Sequence, residues 1–232
     1  MWHARDDPFE ILKSDGSCRA RKSRKGLYDP QLVIDEGEKI LQRLDDYAIK
    51  ILRKRPSRSS YFRDEHGFIA RDDEGPICYL IEDFDYTKLK LFSVSVLWRF
   101  CTTSMKQYAF KGYDDDQRLR EMIMTGNPGD AEQLSVMLVR YSDDLGKITV
   151  LPERISLCGQ VFARMMFGSF SVYIKLDDAN TIESLRGHQL TPHVPWPVMI
   201  SRFDKSKYYA KALETVAKTS RNFPERHGAG KA

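Results

Sequence analysis

Between residues 64 and 85 the chain carries Asp64-Glu65-His66, Asp72-Asp73-Glu74, Asp83 and Asp85. Carboxylates gathered in this way could hold Mg²⁺ and activate water on a phosphodiester. Their spacing matches no metal-binding pattern, and charge runs in loops are usually solvated. A metal-dependent nuclease using these carboxylates is therefore an alternative reading. Asp85 has a simpler role open to it, as the cap of the helix that follows. His188 and His193 flank Pro192 in a proline-rich loop with no other ligand-rich segment near in sequence, so no metal site and no cofactor is expected. Neither GxSxG, a Walker-type loop nor GxGxxG occurs, which argues against the common hydrolase, nucleotide and dinucleotide classes.

The second group of chemically capable residues is basic. Five of the seven residues from Arg19 to Lys25 are Lys or Arg: Arg19, Arg21, Lys22, Arg24 and Lys25. A second cluster, Arg53, Lys54 and Arg55, precedes Pro56, with Arg58 close behind. Residues 1–60 hold fourteen Lys+Arg against ten Asp+Glu, whereas residues 61–232 hold twenty-three of each, so the whole net charge of +4 sits in the first quarter. Localised positive charge is the footprint of an anionic partner, because Lys and Arg neutralise phosphates and release counterions. Solvated surface charge is the plain alternative for Arg19–Lys25, and a favourable interaction with a helix dipole the plain alternative for Arg53–Arg55. Only Tyr28 and Tyr61 interleave with the basic residues, which gives weak support for stacking on bases.

These residues must be positioned by the elements around them. With 232 residues and 41% hydrophobic content the chain can bury a sizeable core. Asp35, with Glu38 three residues on, reads as a capping box for a helix whose apolar stripe is Ile40, Leu41, Leu44, Tyr47, Ala48, Ile51 and Leu52. Residues 56–75 read as a polar loop and 75–81 as extended. A central apolar helix is expected over Lys88–Tyr108 and a shorter one over Asp114–Thr125, stopped by Gly126-Asn127-Pro128-Gly129. Arg99 on the central helix, if buried, needs a partner and could be functional; the plain alternative is that it points outward or pairs structurally with an acid such as Asp85.

Strand-like runs then follow at Leu134–Tyr141, Ile148–Leu151, Ser156–Ala163 and Ser169–Leu176, with a short apolar run at Val198–Ser201 and a closing helix over Asp204–Ser220. Helices first and strands after predict an α+β fold: a helical N-terminal half around a central apolar helix, then a mostly antiparallel sheet and a C-terminal helix. The expected division is a basic segment with an amphipathic helix over 1–60 and an α+β core over 61–232.

Four cysteines, Cys18, Cys78, Cys101 and Cys158, are dispersed without a CxxC, and Met1–Glu10 is polar and carries acids. A reduced, cytoplasmic protein without a signal peptide is expected, with no membrane association, since no apolar run approaches the ~20 residues that span a bilayer.

The segment Gly26-Leu27-Tyr28-Asp29, followed by an amphipathic helix containing Asp46-Tyr47, resembles the second half of an HNH-type zinc module found at the N-terminus of uncharacterised bacterial and phage proteins. Phe84-Asp85-Tyr86, Leu89-Lys90-Leu91-Phe92 and Leu97-Trp98-Arg99 resemble the central helix of the same family, and the similarity runs from about Phe9 to Ala217. Ile34 and Gly37 stand where that family has metal-binding cysteines, and neither can ligate zinc. His3 is the only histidine before His66, whereas an HNH nuclease needs a histidine base. The resemblance thus implies a scaffold that has lost its zinc chemistry, plausible in defence or counter-defence between phage and host. The leading expectation is a non-catalytic protein contacting nucleic acid or an acidic partner surface through its basic residues. The further alternative is a protein-binding inhibitor or complex subunit.

Overall fold

The computed structural model describes residues 11–13, 21–23, 32, 35–54, 56–63, 65, 69–73, 75–142, 149–205 and 209. The chain divides into two compact units, residues 1–28 with 202–232, and residues 29–201. In the first, β1 (Ile11–Lys13) pairs antiparallel with β2 (Arg21–Ser23), so Lys13 lies across from Arg21 and Leu12 from Lys22. In the same unit Arg202 pairs with Asp204, and the ring of Phe203 meets Tyr209 edge-on at 6.0 Å. The helix expected over Asp204–Ser220 falls largely outside the described residues; Phe203–Lys205 forms a 3-10 turn.

The second unit is α+β, three helices followed by a six-stranded, mostly antiparallel sheet. Helix α1 (Asp35–Leu52) buries Leu41, Leu44, Ala48, Ile51 and Leu52, the stripe that its periodicity dictates. Asp35 is its first helical residue rather than its cap, and Gly37 sits half-buried in its first turn. Helix α2 (Tyr86–Thr102) is the central element: every residue from Leu89 to Trp98 is buried. Asp85 caps it, its Oδ1 accepting from the Lys88 backbone N–H at 3.0 Å. Burial alone would raise the Asp85 carboxyl, but hydrogen bonds from Lys88 outweigh that and hold it below the usual range.

The α2 helix stops six residues short of the expected Tyr108. Thr102 Oγ1 donates back to the Trp98 carbonyl and Thr103 Oγ1 accepts from the Met105 N–H. Such local hydroxyl bonds compete with the helix ladder, and a 3-10 turn at Lys106–Tyr108 follows instead. Helix α3 (Asp116–Thr125) is capped by Asp115 and closed by Gly126 at φ +70°, a left-handed conformation that costs glycine nothing.

Two short strands form a small ribbon: β3 (Arg71–Asp72), where a polar loop is expected, and β4 (Gly75–Pro76), within the run expected to be extended. The large sheet has the order β5 (Cys78–Ile81), β10 (Trp196–Ser201), β6 (Val136–Tyr141), β9 (Phe170–Lys175), β8 (Gln160–Phe167), β7 (Thr149–Leu157). Only β10 and β6 run parallel. The expected strands Ile148–Leu151 and Ser156–Ala163 are corrected here. β7 is one strand with a register shift between Val150 and Glu153, around Pro152, which cannot donate to a ladder. The chain then reverses at Cys158 (φ +50°) and Gly159 (φ +82°), inside the run that reads as a single strand. Two consecutive left-handed residues make the tight turn whose twist matches a hairpin.

The core joins the α1 stripe and α2 to Val136, Leu138, Ala163, Met165, Val172, Ile174, Trp196 and Val198 of the sheet. A short helix, α4 (Glu183–Arg186), lies between β9 and β10.

Candidate nucleic-acid interface

Of the basic residues expected to bind, Arg19, Arg24, Lys25 and Arg55 lie outside the described residues. Arg21 and Lys22 are in β2 of the smaller unit. Arg53 and Lys54 directly follow α1 and are exposed.

The end of α1 is fixed by an arginine that sequence reading passed over. Arg140, on β6, donates from Nη1 to the Lys54 carbonyl at 3.1 Å. Its guanidinium lies 5.8 Å from the centre of the Tyr79 ring and 5.2 Å from that of Phe170. Burial raises the Tyr79 phenol, with Arg140 pulling the other way. The Lys54 carbonyl lies two residues beyond the last helical residue, so this bond anchors the chain as it leaves α1, and a cation near a helix C-terminus also favours the dipole.

Beyond Lys54 the chain builds a small irregular arm. The Ser60 N–H donates to the Ser57 carbonyl at 3.0 Å and closes the 3-10 turn Arg58–Ser60, while Ser57 Oγ lies 2.7 Å from Ser59 Oγ and 2.9 Å from Ser60 Oγ. Tyr61 bridges to Tyr79 of the sheet, and Arg63 bridges to Ile69. The Phe62 N–H donates to the Cys78 carbonyl at 3.0 Å, and Ala70 N–H to the Phe62 carbonyl at 2.9 Å. Side chains alternate along an extended chain, so Ile69 and Arg71 share a face and Asp72 takes the other. The result is an open groove of about 460 Å³ lined by Arg58, Arg63, Ile69 and Arg71. All three arginines are exposed. Arg63 and Arg71 went unnoticed in the sequence because acids surround them: Asp64, Glu65, Asp72, Asp73 and Glu74. The alternation around Ile69 is the signal that could have found them.

The carboxylates that could have formed a metal site do not assemble in the described part of the chain. Asp64, His66 and Glu74 lie outside it, and Glu65, Asp72, Asp73, Glu82 and Asp83 are exposed. Among the described residues no three His, Cys, Asp or Glu side chains are placed to share a metal ion. His188 is held by its main chain, its carbonyl accepting from Trp196 Nε1 at 3.3 Å.

A different polar centre, absent from the sequence reading, lies inside the fold. Lys90 of α2 and Lys175 of β9 are both fully buried. Lys90 Nζ donates to the carbonyls of Gln133 at 2.6 Å and Asp130 at 3.2 Å. Lys175 Nζ donates to the Ala179 carbonyl and sits 3.7 Å from Glu132 Oε2. Glu132 also accepts from the Thr181 N–H at 2.7 Å and from Gln189 Nε2 at 3.2 Å. Desolvation lowers the Lys90 ammonium to about 8, against the pull of Asp130 and Glu132. Each lysine is spent on loop carbonyls, so this centre ties the loops before β6 and after β9 to the core.

Searches against protein-family models, curated proteins and solved structures found no match to this chain. No helix among the described residues is long and apolar enough to cross a membrane.

Proposed function

We propose that this chain is a non-catalytic nucleic-acid-binding protein whose contact surface runs from the end of α1 into the arginine-lined groove. The observation that carries the reading is the convergence of Arg58, Arg63 and Arg71 on one groove, a few residues beyond the exposed Arg53 and Lys54. Guanidinium groups present rigid forks of donors that match phosphate oxygens two at a time. Such contacts give affinity without reading sequence, since phosphates are the same at every base. Descent from an HNH-type family is proposed from the resemblance around residues 26–52 and 84–99.

The test is a salt titration of binding to labelled single- and double-stranded DNA and RNA, with and without Mg²⁺, scoring intact and cleaved strands in the same samples. Affinity should fall steeply with salt while the strand stays whole. Replacing Arg58, Arg63 and Arg71 with Gln should flatten the slope of log K against log salt by about 0.7–0.9 per contact removed. Metal-dependent cleavage would overturn the reading in favour of the carboxylate nuclease. Absence of binding at low salt would turn the search to a protein partner.

A further inference from the structure

The two edges of the large sheet are finished differently. Along β5, Tyr61 bridges to Tyr79 and the Phe62 N–H donates to the Cys78 carbonyl, so the arm beyond α1 covers that edge. Strand β7 ends the sheet on the other side, and among the described residues only β8 pairs with it. An open edge presents unpaired N–H and C=O groups, and is usually blunted by proline, lysine, a bulge or a short strand. In β7 such devices are confined to one half, at Pro152 and the register shift between Val150 and Glu153. From Glu153 to Leu157 the register with β8 is unbroken, and neither proline nor lysine occurs there.

The turn decides which groups face outward. Cys158 and Gly159 alone join Leu157 to Gln160, and a two-residue turn is closed by a hydrogen-bonded pair. Hydrogen-bonded and non-hydrogen-bonded pairs alternate along an antiparallel ladder. Leu157, Ile155 and Glu153 therefore bond to β8, while the N–H and C=O of Ser156 and Arg154 point away from the sheet. Both of these residues are exposed. Ile155 lies across from the fully buried Phe162, yet is itself only half-buried.

We infer that β7 is a self-pairing edge: two copies of this chain join antiparallel, β7 to β7, about a two-fold axis at Ile155. A second copy cannot add to β5, whose outer side the arm occupies, so the contact closes on itself instead of propagating as a fibre. The two-fold pairs side chains on the same face, which leaves few registers. Centred on Arg154, it sets two guanidiniums directly opposite each other and calls on Pro152, which has no N–H to give. Centred on Ser156, it brings Arg154 against the turn residue Cys158. Centred on Ile155, it matches Arg154 with the partner's Ser156 and Ser156 with the partner's Arg154, each through both N–H and C=O. The two Ile155 side chains then meet across a non-hydrogen-bonded pair, where side chains come closest, and extend the apolar strip that begins at Phe162. The arginine groove lies by the other edge of the sheet, so the contact leaves it open and does not rest on the nucleic-acid reading. So short a contact buries less than a standard interface, which makes the dimer weak and concentration-dependent.

The experiment follows the mass of the full chain by sedimentation over a wide range of concentration. A reversible monomer–dimer equilibrium is expected. The amides of Arg154 and Ser156 should exchange freely at low concentration and gain protection as the dimer forms. Ser156→Pro removes an outward donor from each copy without touching a bond to β8, and should weaken the dimer about tenfold or more. Ile155→Lys should abolish it by opposing two ammoniums at the axis. In the Cys158→Asn background, Ile155→Cys should cross-link into a dimer under mild oxidation, whereas Arg154→Cys, placed across from Ser156, should not. A chain that stays monomeric at every concentration would overturn the inference. So would a dimer that both Ser156→Pro and Ile155→Lys leave intact, or protection of the Arg154 and Ser156 amides already present in the monomer.

Discussion

Arg99 of α2 and Asp45 of α1 form a two-pronged ion pair, Nη1 to Oδ2 at 2.9 Å and Nη2 to Oδ1 at 2.5 Å. Arg99 also donates from Nε to the Ser95 carbonyl and from Nη2 to Ser95 Oγ, so its guanidinium is locked before it reaches the carboxylate. A pre-set fork loses little freedom on pairing, and the pair fixes how the amphipathic helix lies on the central one. Two residues further along α1, Tyr47 Oη accepts from the Asp85 N–H at 2.5 Å, and Lys88 sits over the Tyr47 ring.

Asp45→Asn should therefore destabilise the larger unit. The Arg99 side chain is 23% exposed and that of Asp45 14%, so water screens the pair and the loss should be about 1–3 kcal/mol, below that of a fully buried pair. The Asp45→Asn/Arg99→Met double variant should recover part of it, because no charge is then left without its partner. Urea denaturation of the two variants and the parent checks this.

Lys90 gives stability an uncommon pH dependence. Its folded value, about 8, lies below the ordinary 10.5, so the unfolded chain binds the extra proton between those values. Stability rises with pH wherever the unfolded state holds more protons. The cost of burying the ammonium is thus fully present below pH 8 and is relieved as pH climbs above it. Cys101 acts the other way, since burial pushes its thiol up to about 12 and the unfolded thiolate forms first. Subtracting the stability of Lys90→Met from that of the parent at each pH from 7 to 9.5 removes the cysteine contribution. The difference should move in favour of the parent as pH rises; a flat difference would refute the assignment.

Cys158 holds φ +50° without being glycine, in the turn between β7 and β8. Asn tolerates that conformation better and, followed by Gly159, completes the favoured Asn-Gly hairpin turn. Cys158→Asn should raise the thermal midpoint by a few degrees, consistent with about 0.5–1 kcal/mol. The side chain is exposed, so no packing is lost with it.

Arg140→Met should loosen the end of α1. The variant forfeits a charged hydrogen bond to the Lys54 carbonyl and two ring contacts, a loss of about 1.5–3 kcal/mol. Hydrogen exchange should accelerate first in the last turn of α1, ahead of the amides of the α2 core.

What the sequence determined by itself was the set of local elements. The α1 stripe, the acids that open α3, the glycine that ends it and the β-rich second half all follow from periodicity and capping, which act within a few residues. The role of Asp85 as a cap was legible for the same reason. Tertiary structure decided the rest. Arg99 pairs with Asp45, fifty-four positions away, rather than with the nearer Asp85, because helix packing sets which carboxylate it meets. Nothing local in the sequence marks Lys90 or Lys175 as buried, yet both are, because loops fold back to give their ammoniums carbonyl partners. Arg63 and Arg71 stand among acids in the sequence and on one groove in the fold, and along the short ribbon strand Arg71 and Asp72 take opposite faces. Short-range order is written in residue types; which distant groups share a dielectric and a distance is set only when the chain closes on itself.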